Sequence, residues 1–466
     1  MPDENQTLGV THSVCGICRQ IVPAKVVTDG RDVYFEKVCR THGQTRTLVY
    51  RDVDNYLRTQ RYLKPAWMPQ EHAGTSALAC PHGCGLCDRH EQHLCMPIVE
   101  ITSRCNLSCP ICIRDAGQSW DMTVQQFKDL IDALIRAERQ IDILNLSGGE
   151  PLLHPHLLAM VDEALARPQI VRVSISTNGL ELLGRPELLR QLRQRNVIVS
   201  LQFDGFVDRV YEVLRGRRLL NEKREILAQL AEAGVSTSLT VTAAGGISED
   251  QFPEILRYFF LQPNVVSVMI QPIALTGRAA SAGPEIGRLT IPDVLRLLDE
   301  AGDSRVKASD FAPLPCSDPR CFYLAYYLLL EDGETVSLNR LVNASQMMDA
   351  LANRTVFGLD SEEYDHVKDL IYELWSGPAS SAPDSEAVMR TLRGILDAVA
   401  ASGFEPRAAF TLAERHIKSI FIHAFQDADT FDLSRVRRCC QAYPQPDGRL
   451  IPACVYNVLA RHARGS

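Results

Sequence analysis

Three cysteines, Cys105, Cys109 and Cys112, stand in a short run whose spacing suits metal chemistry. Three thiolates with three and two residues between them can bind three irons of a four-iron, four-sulfur cluster. The fourth iron then has no protein ligand and is free to bind a nitrogen and an oxygen of a small molecule. Three cysteines alone are also compatible with zinc, so the residues nearby decide between the two metals.

A second motif adds chemistry of a different kind. Gly148, Gly149, Glu150 and Pro151 follow an apolar run at residues 143–147. Glycines let backbone groups approach a ligand closely, and a carboxylate beside them can accept hydrogen bonds from an amino group. Together with the cysteine run, this motif favours an iron–sulfur cluster with a bound ligand over zinc.

The elements that must position both motifs are predicted strands. The cysteine run follows an apolar, β-rich segment at residues 97–102, so it lies on the loop at the carboxyl end of a strand. Residues 96–300 continue with alternating strand and helix patterns, which predict a parallel sheet with right-handed crossovers, either an open sheet or a partial barrel. In such folds the strand ends carry the chemistry. The other predicted strands are residues 143–147, 171–176, 197–203, 235–242 and 265–271.

One helical pattern stands out between the first two strands. A capping box from Thr123 to Gln126 begins it. Apolar side chains then recur at the spacing of one helix face. They are Phe127, Leu130, Ile131, Leu134 and Ile135.

The first 60 residues predict a small metal-binding β domain. Cys15 and Cys18 form one knuckle, and Cys39 and His42 form a second. Alternating segments between them predict short strands, with a hairpin turn at residues 28–31. Tetrahedral thiolate and imidazole ligands suit zinc or a rubredoxin-like iron, and the choice between the two metals stays open. His42 is also compatible with a solvated turn residue.

Residues 75–95 predict an auxiliary iron–sulfur cluster. Cys80, Cys84 and Cys87 repeat the three-and-two spacing of the first cysteine run, and Cys95 adds a fourth thiolate. Four thiolates complete a cluster without leaving an open iron. We therefore expect this cluster to be closed.

Residues 301–466 predict an α-rich region with a second auxiliary cluster. Helices are expected at residues 362–375 and 385–401, with a loop at 377–383. Five thiols exceed the four positions of a cluster, and adjacent cysteines in an extended chain point in opposite directions. We therefore expect only one of Cys439 and Cys440 to bind; buried apolar cysteines or redox-active thiols are the alternatives. The cysteines fall into two groups, Cys316 with Cys321, and Cys439 and Cys440 with Cys454.

Composition excludes several classes of protein. The chain has 466 residues, 45% hydrophobic and 23% charged, enough for a large core and more than one domain. A net charge of −8 with interspersed Lys and Arg gives no electrostatic footprint for nucleic acid.

With no export signal and no apolar stretch near the ~20 residues that span a bilayer, we expect no transmembrane segment and a cytoplasmic protein. Clustered cysteines then favour metal sites over disulfides.

The cysteine run followed by Gly148-Gly-Glu-Pro resembles the radical S-adenosylmethionine (SAM) superfamily over about residues 96–280. The resemblance implies an α/β fold with a partial (β/α)6, TIM-like barrel. It also implies that the amino and carboxylate groups of SAM chelate the open iron at Cys105, Cys109 and Cys112, which makes these cysteines the catalytic ligands. Residues 148–151 then hold the amino end of SAM.

The same resemblance implies further SAM contacts at later strand ends. Read alone, Asn178 before a glycine signals a turn, and Asp204 is equally suited to cap the next helix. Ile111 stands where the family commonly has an aromatic residue, so plain apolar packing replaces stacking near the adenine. The implied contacts are Ser176, Asn178, Gln202, Asp204 and Gln271.

Motifs at residues 39–43, 80–87, 315–321 and 446–457 give a narrower resemblance, to the tetraether lipid synthase and class D radical methylase group. Those enzymes form carbon–carbon bonds at unactivated positions, by joining lipid chains or by methylation; the pterin-modifying examples take the carbon from methylenetetrahydrofolate. The resemblance implies reductive cleavage of SAM to a 5′-deoxyadenosyl radical. It also implies three [4Fe–4S] clusters, one mononuclear Fe or Zn, a ferredoxin or flavodoxin as electron donor, and a small-molecule or lipid substrate.

Other functions stay open on the sequence. A radical maturase that modifies a peptide or protein often carries a leader-peptide domain of winged-helix type, for which the N-terminal zone is short and metal-rich. A non-catalytic electron carrier has no need of Gly148 to Pro151 beside an open cluster. For a lipid substrate, residues 258–262 and a predicted helix at 417–425 offer apolar surface, which core packing explains equally well.

Overall fold

The computed structural model describes residues 6–65, 67–71, 80–114, 119–331, 333–341 and 385–461. The predicted helix at 362–375 and the predicted loop at 377–383 lie outside these residues. The predicted helix at 385–401 is confirmed, as Ser385–Ala401. Among the described residues, we find no helix with the length and apolar character needed to cross a bilayer.

The N-terminal part forms a four-stranded antiparallel sheet in sequence order. The predicted hairpin is present, because Asp29 Oδ1 accepts hydrogen bonds from the N–H groups of Arg31 and Asp32 at 3.0 and 2.8 Å. The buried Lys37 Nζ donates to carbonyls of Val14, Ala428 and Asp429, which fixes this sheet to the C-terminal part of the chain. The elements are β1 Gln6–Val14, β2 Ile21–Thr28, β3 Val33–Cys39, β4 Gly43–Tyr50 and the helix α1 Val53–Thr59.

Six parallel strands form the core sheet, as the alternating pattern predicts, and they are neighbours in space in sequence order. Every crossover between them carries at least one helix. The strands are β5 Ile98–Thr102, β6 Ile141–Gly148, β7 Ile170–Thr177, β8 Ile198–Gln202, β9 Thr237–Ala243 and β10 Val265–Pro272. The helices are α2 Val124–Ala137, α3 Leu157–Leu165, α4 Pro186–Gln194, α5 Asp208–Arg215, α6 Leu220–Glu232 and α7 Phe252–Leu261, with α8 Ile291–Ala301 after β10.

Helix α2 begins as its sequence predicts. Thr123 Oγ1 accepts from the Gln126 N–H at 3.1 Å, and Gln126 Oε1 accepts from the Thr123 N–H at 2.8 Å, so both halves of the capping box are made. Four of the five predicted face residues are buried, while Ile135 is only partly buried.

The described part of the chain beyond residue 300 contains helices and also adds strands to the same sheet. β14 pairs in parallel with β10, and β12 pairs antiparallel with β14. The elements are β11 Ala312–Pro313, β12 Phe322–Leu329, β13 Thr335–Ser337, α9 Leu338–Leu341, α10 Ser385–Ala401, α11 Pro406–His416, β14 Ile417–His423, α12 Leu433–Arg437, β15 Ala442–Pro444, β16 Leu450–Pro452 and α13 Ala453–Val455, with a π-helical turn at Tyr456–Ala460.

The prediction of a helix near residues 417–425 is wrong. These residues include β14, a strand paired on both sides, in which Ile420 and Ile422 are fully buried. The other apolar run, residues 258–262, mostly packs in the core, since Phe259 is buried and Phe260 packs against the main cluster. Leu261 is exposed.

A buried ion pair closes the amino end of the sheet. Arg172 of β7 donates from Nη2 to Glu414 Oε2 of α11 at 2.8 Å, and Ser236 donates to the same oxygen at 3.2 Å. The Arg172 side chain is 2% exposed and that of Glu414 is 12% exposed. Each residue is therefore the counter-ion of the other, and removing one leaves the other charge buried without a partner.

We expect Glu414→Gln to lower the free energy of unfolding by about 3–5 kcal/mol, because it leaves the Arg172 charge buried without a counter-ion. Urea denaturation measures the change. The exposed pair of Arg190 and Glu187 supplies the control, since Glu187→Gln should leave stability nearly unchanged. The double variant Arg172→Met with Glu414→Leu should cost less than Glu414→Gln alone; a cost as large or larger would contradict the assignment.

Candidate active site

A cavity of about 600 Å³ lies at the carboxyl ends of the parallel strands. It continues along the strands, between their inward-facing side chains. Barrels of this class are usually filled by bulky Val, Ile and Leu side chains. Here short hydroxyl side chains occupy many inward positions, so the interior stays open. The cavity is lined by Ser174 and Ser176 of β7, Ser200 of β8, Thr240 of β9, Ser267 of β10 and Ser419 of β14.

The three cysteines of the first run line this cavity, on the loop after β5. Cys105 is exposed, whereas Cys109 and Cys112 are half-buried. The loop therefore gathers the three thiols at one end of the cavity.

The glycine-rich end of β6 is bonded to that loop. The Gly149 N–H donates to the Thr102 carbonyl at 2.8 Å, and the Glu150 N–H donates to the Arg104 carbonyl at 2.7 Å. A Cβ on Gly149 would lie 2.0 Å from the Arg104 oxygen, and Gly148 has a φ of 138°. Both positions require glycine because the two loops touch through their backbones.

We expect Gly149→Ala to reduce SAM cleavage by about 100-fold or more, because it displaces the backbone next to Cys105. Release of 5′-deoxyadenosine under anaerobic, reducing conditions measures the effect. Gly9 is the matched control, since a Cβ there meets no atom within 4 Å. Full cleavage by Gly149→Ala would contradict the close approach.

The Glu150 carboxylate accepts three hydrogen bonds from the chain itself. Oε1 accepts from the Leu152 N–H at 3.1 Å and from Thr177 Oγ1 at 2.6 Å, and Oε2 accepts from the Asn178 N–H at 2.8 Å. Burial raises the pKa of this carboxyl. Two oxygens offer about four acceptor positions, so Oε2 retains one for the amino group of a ligand.

The predicted contacts after β7 and β8 support the loops as well as line the cavity. Asn178 Nδ2 donates to Asn106 Oδ1, inside the cysteine run, at 2.7 Å. Lys223 Nζ donates to the Asn178 carbonyl at 2.6 Å and to Gln202 Oε1 at 2.9 Å. Burial lowers the pKa of Lys223 to about 7. Ser176, Asn178, Gln202 and Gln271 all line the cavity.

Asp204 differs from its predicted role. Its carboxylate is fully buried and is bound by Arg215, with Nε to Oδ2 at 2.7 Å and Nη2 to Oδ1 at 2.8 Å. Arg215 itself lines the cavity and interacts with Cys109. Asp204 therefore orients Arg215, whose guanidinium suits the carboxylate of a ligand. Sequence reasoning missed Arg215, although an arginine one residue before the glycine that ends α5 was a visible signal.

One part of the cavity wall is aromatic. It consists of side chains of β12, β14 and the following segment, and the rings contact one another, with Phe322 and Phe421 centroids 5.8 Å apart. Sequence reasoning missed this wall, because it did not place these strands in the sheet. The ring-bearing residues are Phe322, Tyr326, Phe421, His423, Phe425 and Tyr443.

The four predicted ligands of the N-terminal domain come together. The ligand atoms of Cys15, Cys18, Cys39 and His42 all lie within 4.8 Å of one another. His42 Nδ1 is 3.6 Å from both Cys15 Sγ and Cys39 Sγ. Hydrogen bonds from the backbone of Thr41, then of His42, lower the pKa of Cys39 to about 6. This donor set fits a tetrahedral metal ion.

The auxiliary cysteines are grouped differently from the sequence prediction. The sequence predicts that Cys95 joins Cys80, Cys84 and Cys87. In the structure its sulfur lies within 4.8 Å of those of Cys316 and Cys440. The cause is a tertiary contact, because the Cys95 N–H donates to the Cys440 carbonyl at 2.9 Å. The pKa of Cys80 is lowered to about 7 by its hydrogen bond with Cys84.

Cys321, Cys439 and Cys454 border a separate small pocket of about 20 Å³. Arg435 Nε donates to Cys321 Sγ at 3.1 Å, and the Gln426 N–H donates to Cys454 Sγ at 3.3 Å. Such N–H donors to sulfur are typical of cluster thiolates. Cys439 and Cys440 thus point to different groups, and the expectation that only one of them binds stays a prediction.

We expect iron analysis to follow this grouping. Cys95→Ser and Cys316→Ser should each lose the same cluster, about four irons, and their double variant should lose no more. Cys95→Ser combined with Cys84→Ser should lose about twice as many irons, because these residues belong to different groups. Equal losses in the Cys95→Ser, Cys84→Ser and combined variants would restore the sequence-based grouping.

The donor set at the main cavity fits SAM and a [4Fe–4S] cluster. Cys105, Cys109 and Cys112 would hold the cluster, Arg215 would meet the carboxylate of SAM, and Glu150 has an acceptor position for its amino group. The glycines beside Glu150 leave room for a ligand to approach the backbone. The geometry therefore accommodates a chelating ligand at an open iron.

Comparisons with known proteins agree with this chemistry. Residues 99–259 match the radical SAM superfamily model, and residues 7–51 match the HMPTM N-terminal zinc ribbon domain model. Over 478 aligned residues, the chain is 27% identical to 7,8-dihydro-6-hydroxymethylpterin dimethyltransferase of Methanocaldococcus jannaschii, which covers 97% of this chain and 94% of that protein.

Two further proteins are similar over shorter stretches. The chain is 32% identical to mycofactocin maturase MftC of Mycobacterium tuberculosis over 176 residues, which covers 36% of this chain and 44% of that protein. The crystal structure of Streptococcus suis SuiB bound to precursor peptide SuiA matches 46% of this chain and 47% of that chain, with a TM-score of 0.40 and 12% identity. This structural likeness is too low to bear on function.

The cysteines predicted to be catalytic, the glycine-rich strand end and the matched family model all fall on the same part of the fold. The cysteine loop follows β5, and the Gly-Gly-Glu-Pro motif ends β6, within the matched residues 99–259. The N-terminal sheet coincides with the matched zinc ribbon domain. Residues 99–259 of this chain therefore form a radical SAM domain.

Proposed function

We propose that this enzyme methylates a carbon of a compact, polar heterocycle of the pterin type. The relative from Methanocaldococcus jannaschii, similar over nearly the whole chain, carries the name of a pterin dimethyltransferase. The observation that carries the proposal is this match, and the cavity adds hydroxyl and aromatic side chains that suit a polar, planar ring, next to apolar ones.

The hydroxyl and aromatic side chains suit a planar heterocycle. Rings of β12 and β14, such as Phe322 and Phe421, offer stacking surfaces. Along the parallel strands, Ser200 and Thr240 pair at 3.0 Å and Ser267 donates to Ser238 at 2.7 Å, so each pair still has an O–H or an acceptor position for a ligand edge. A cavity of about 600 Å³ falls within the ~300–1,000 Å³ typical of small-molecule sites.

Apolar side chains also line the cavity, among them Ile143, Ile198 and Met269, and these offer contacts to a hydrocarbon chain. Hydroxyl groups that face an alkyl chain lose water without gaining a hydrogen-bond partner, which costs free energy. Short hydroxyl side chains line strands β7 to β10 on the inward face, so an alkyl chain that entered the interior would contact many of them. It is the pterin dimethyltransferase similar over nearly the whole chain that favours methylation over the coupling of lipid chains.

The cofactors follow from the donor groups. SAM supplies a 5′-deoxyadenosyl radical, which abstracts hydrogen from a strong C–H bond, while the chain positions the reactants and excludes water. We propose that a ferredoxin or flavodoxin supplies electrons, that the further cysteine groups hold auxiliary [4Fe–4S] clusters, and that Cys15, Cys18, Cys39 and His42 hold one Zn or Fe. Methylenetetrahydrofolate is the proposed one-carbon donor.

Parallel anaerobic reactions with three substrates test the function. Reconstituted enzyme receives SAM, reductant and methylenetetrahydrofolate with 7,8-dihydro-6-hydroxymethylpterin, with a diether lipid, or with a peptide. We expect a methylated pterin by mass spectrometry and no product from the other two. A coupled lipid or a modified peptide, with the pterin unchanged, would replace the proposal.

A further inference from the structure

The catalytic cavity and the pocket of Cys321, Cys439 and Cys454 share part of their walls. His423, the last residue of β14, lines both. It pairs in register with Phe322, the residue after Cys321, and the neighbouring Ala424 N–H donates to the Cys321 carbonyl at 2.8 Å. The backbone therefore holds His423 next to this cysteine group.

The His423 ring is fixed but has no polar partner among the described residues. Its centroid is 4.7 Å from that of Phe322 and 4.1 Å from that of Phe425, and the residue is 8% exposed. Arg435 acts on the His423 ring only through its charge, since its Nε donates a hydrogen bond to Cys321 Sγ. A neutral imidazole nitrogen with no hydrogen-bond partner is available to bind a ligand that the protein chain does not supply.

The cysteine group beside His423 is short of one thiolate. Cys440 also borders the pocket, but its sulfur lies within 4.8 Å of those of Cys95 and Cys316. This leaves Cys321, Cys439 and Cys454, whereas a closed four-iron cluster takes four protein ligands. Neutral imidazole binds iron and replaces cysteine in some iron–sulfur centres.

We propose that His423 is the fourth protein ligand of an iron–sulfur cluster held by Cys321, Cys439 and Cys454. The inference rests on the auxiliary cluster proposed at these cysteines and not on the identity of the substrate. A neutral nitrogen ligand makes such a cluster easier to reduce than one with four thiolates. The cluster then stands at the wall of the catalytic cavity with a higher reduction potential than an all-cysteine cluster.

Pulsed electron paramagnetic resonance tests the ligand directly. The full-length chain with Cys105, Cys109 and Cys112 replaced by Ala and His42 replaced by Cys is reconstituted anaerobically and reduced, without SAM or substrate, so that none of these can contribute nitrogen. We expect a strongly coupled nitrogen signal that disappears in His423→Ala. The exposed His156 provides the control, and His156→Ala should keep the signal.

His423→Cys gives a second readout that does not depend on the signal. It should retain the iron of the parent protein and lower the midpoint potential of one cluster, because a thiolate replaces a neutral ligand. The proposal is overturned if the nitrogen coupling is absent from the parent or persists in His423→Ala, or if His423→Cys leaves every midpoint potential unchanged. Where His423→Ala fails to fold, the His423→Cys potential decides. Failure of pterin methylation has no bearing on these measurements.

Discussion

Replacing Cys105, Cys109 and Cys112 together by Ala is expected to abolish release of 5′-deoxyadenosine. These thiolates lie on one loop at the cavity, and without them no iron is held where SAM binds. No protein acid or base can replace the lost chemistry, because a strong C–H bond is not deprotonated at neutral pH. Liquid chromatography of anaerobic reactions with SAM and reductant measures the product.

The control for this prediction is Cys18→Ser. Cys18 belongs to the N-terminal metal group, outside the residues that line the cavity, so this variant should still release 5′-deoxyadenosine. Cleavage of SAM by the triple variant would overturn the catalytic assignment. Loss of cleavage in Cys18→Ser alone would mean that the N-terminal site takes part.

A larger side chain inside the cavity should reduce product formation while SAM cleavage continues. Ser200 of β8 lines the cavity through a side chain that pairs with Thr240. Ser200→Leu places an alkyl group where the substrate is proposed to bind, and we expect methylated product to fall by about 100-fold or more. Release of 5′-deoxyadenosine should stay within a few-fold, roughly, because the SAM contacts lie at the strand ends.

Ser200→Ala is the matched variant, since it removes the hydroxyl without adding volume. It should lose less product than Ser200→Leu, and circular dichroism should show both variants folded, because one larger side chain costs about 1–3 kcal/mol in a packed site. Equal loss of SAM cleavage and of product in Ser200→Leu would contradict the separation of the two binding regions.

Local patterns were sufficient for the core strands and for α2. Alternating strand and helix periods mark β5 to β10, and the Thr123 capping box marks the start of α2. β14 was missed because a short apolar run buried on both faces has the same appearance as a buried helix. Its place in the sheet depends on pairing with β12, nearly one hundred residues away in sequence.

The same limit applies to the site. The catalytic loop and the Gly148 to Pro151 motif are contiguous, so spacing alone predicts them. Arg215 could not be assigned in this way, because its position depends on a side-chain contact with Asp204. The grouping of Cys95 with Cys440 likewise depends on a backbone contact between distant segments.

The central claim is that this enzyme takes hydrogen from a pterin-type substrate and adds a methyl group to its carbon. One anaerobic reaction tests it, with 7,8-dihydro-6-hydroxymethylpterin deuterated at its ring and hydroxymethyl C–H positions. We expect deuterium in the 5′-deoxyadenosine and a methyl group on the pterin. Unlabelled 5′-deoxyadenosine together with an unchanged pterin would contradict the account.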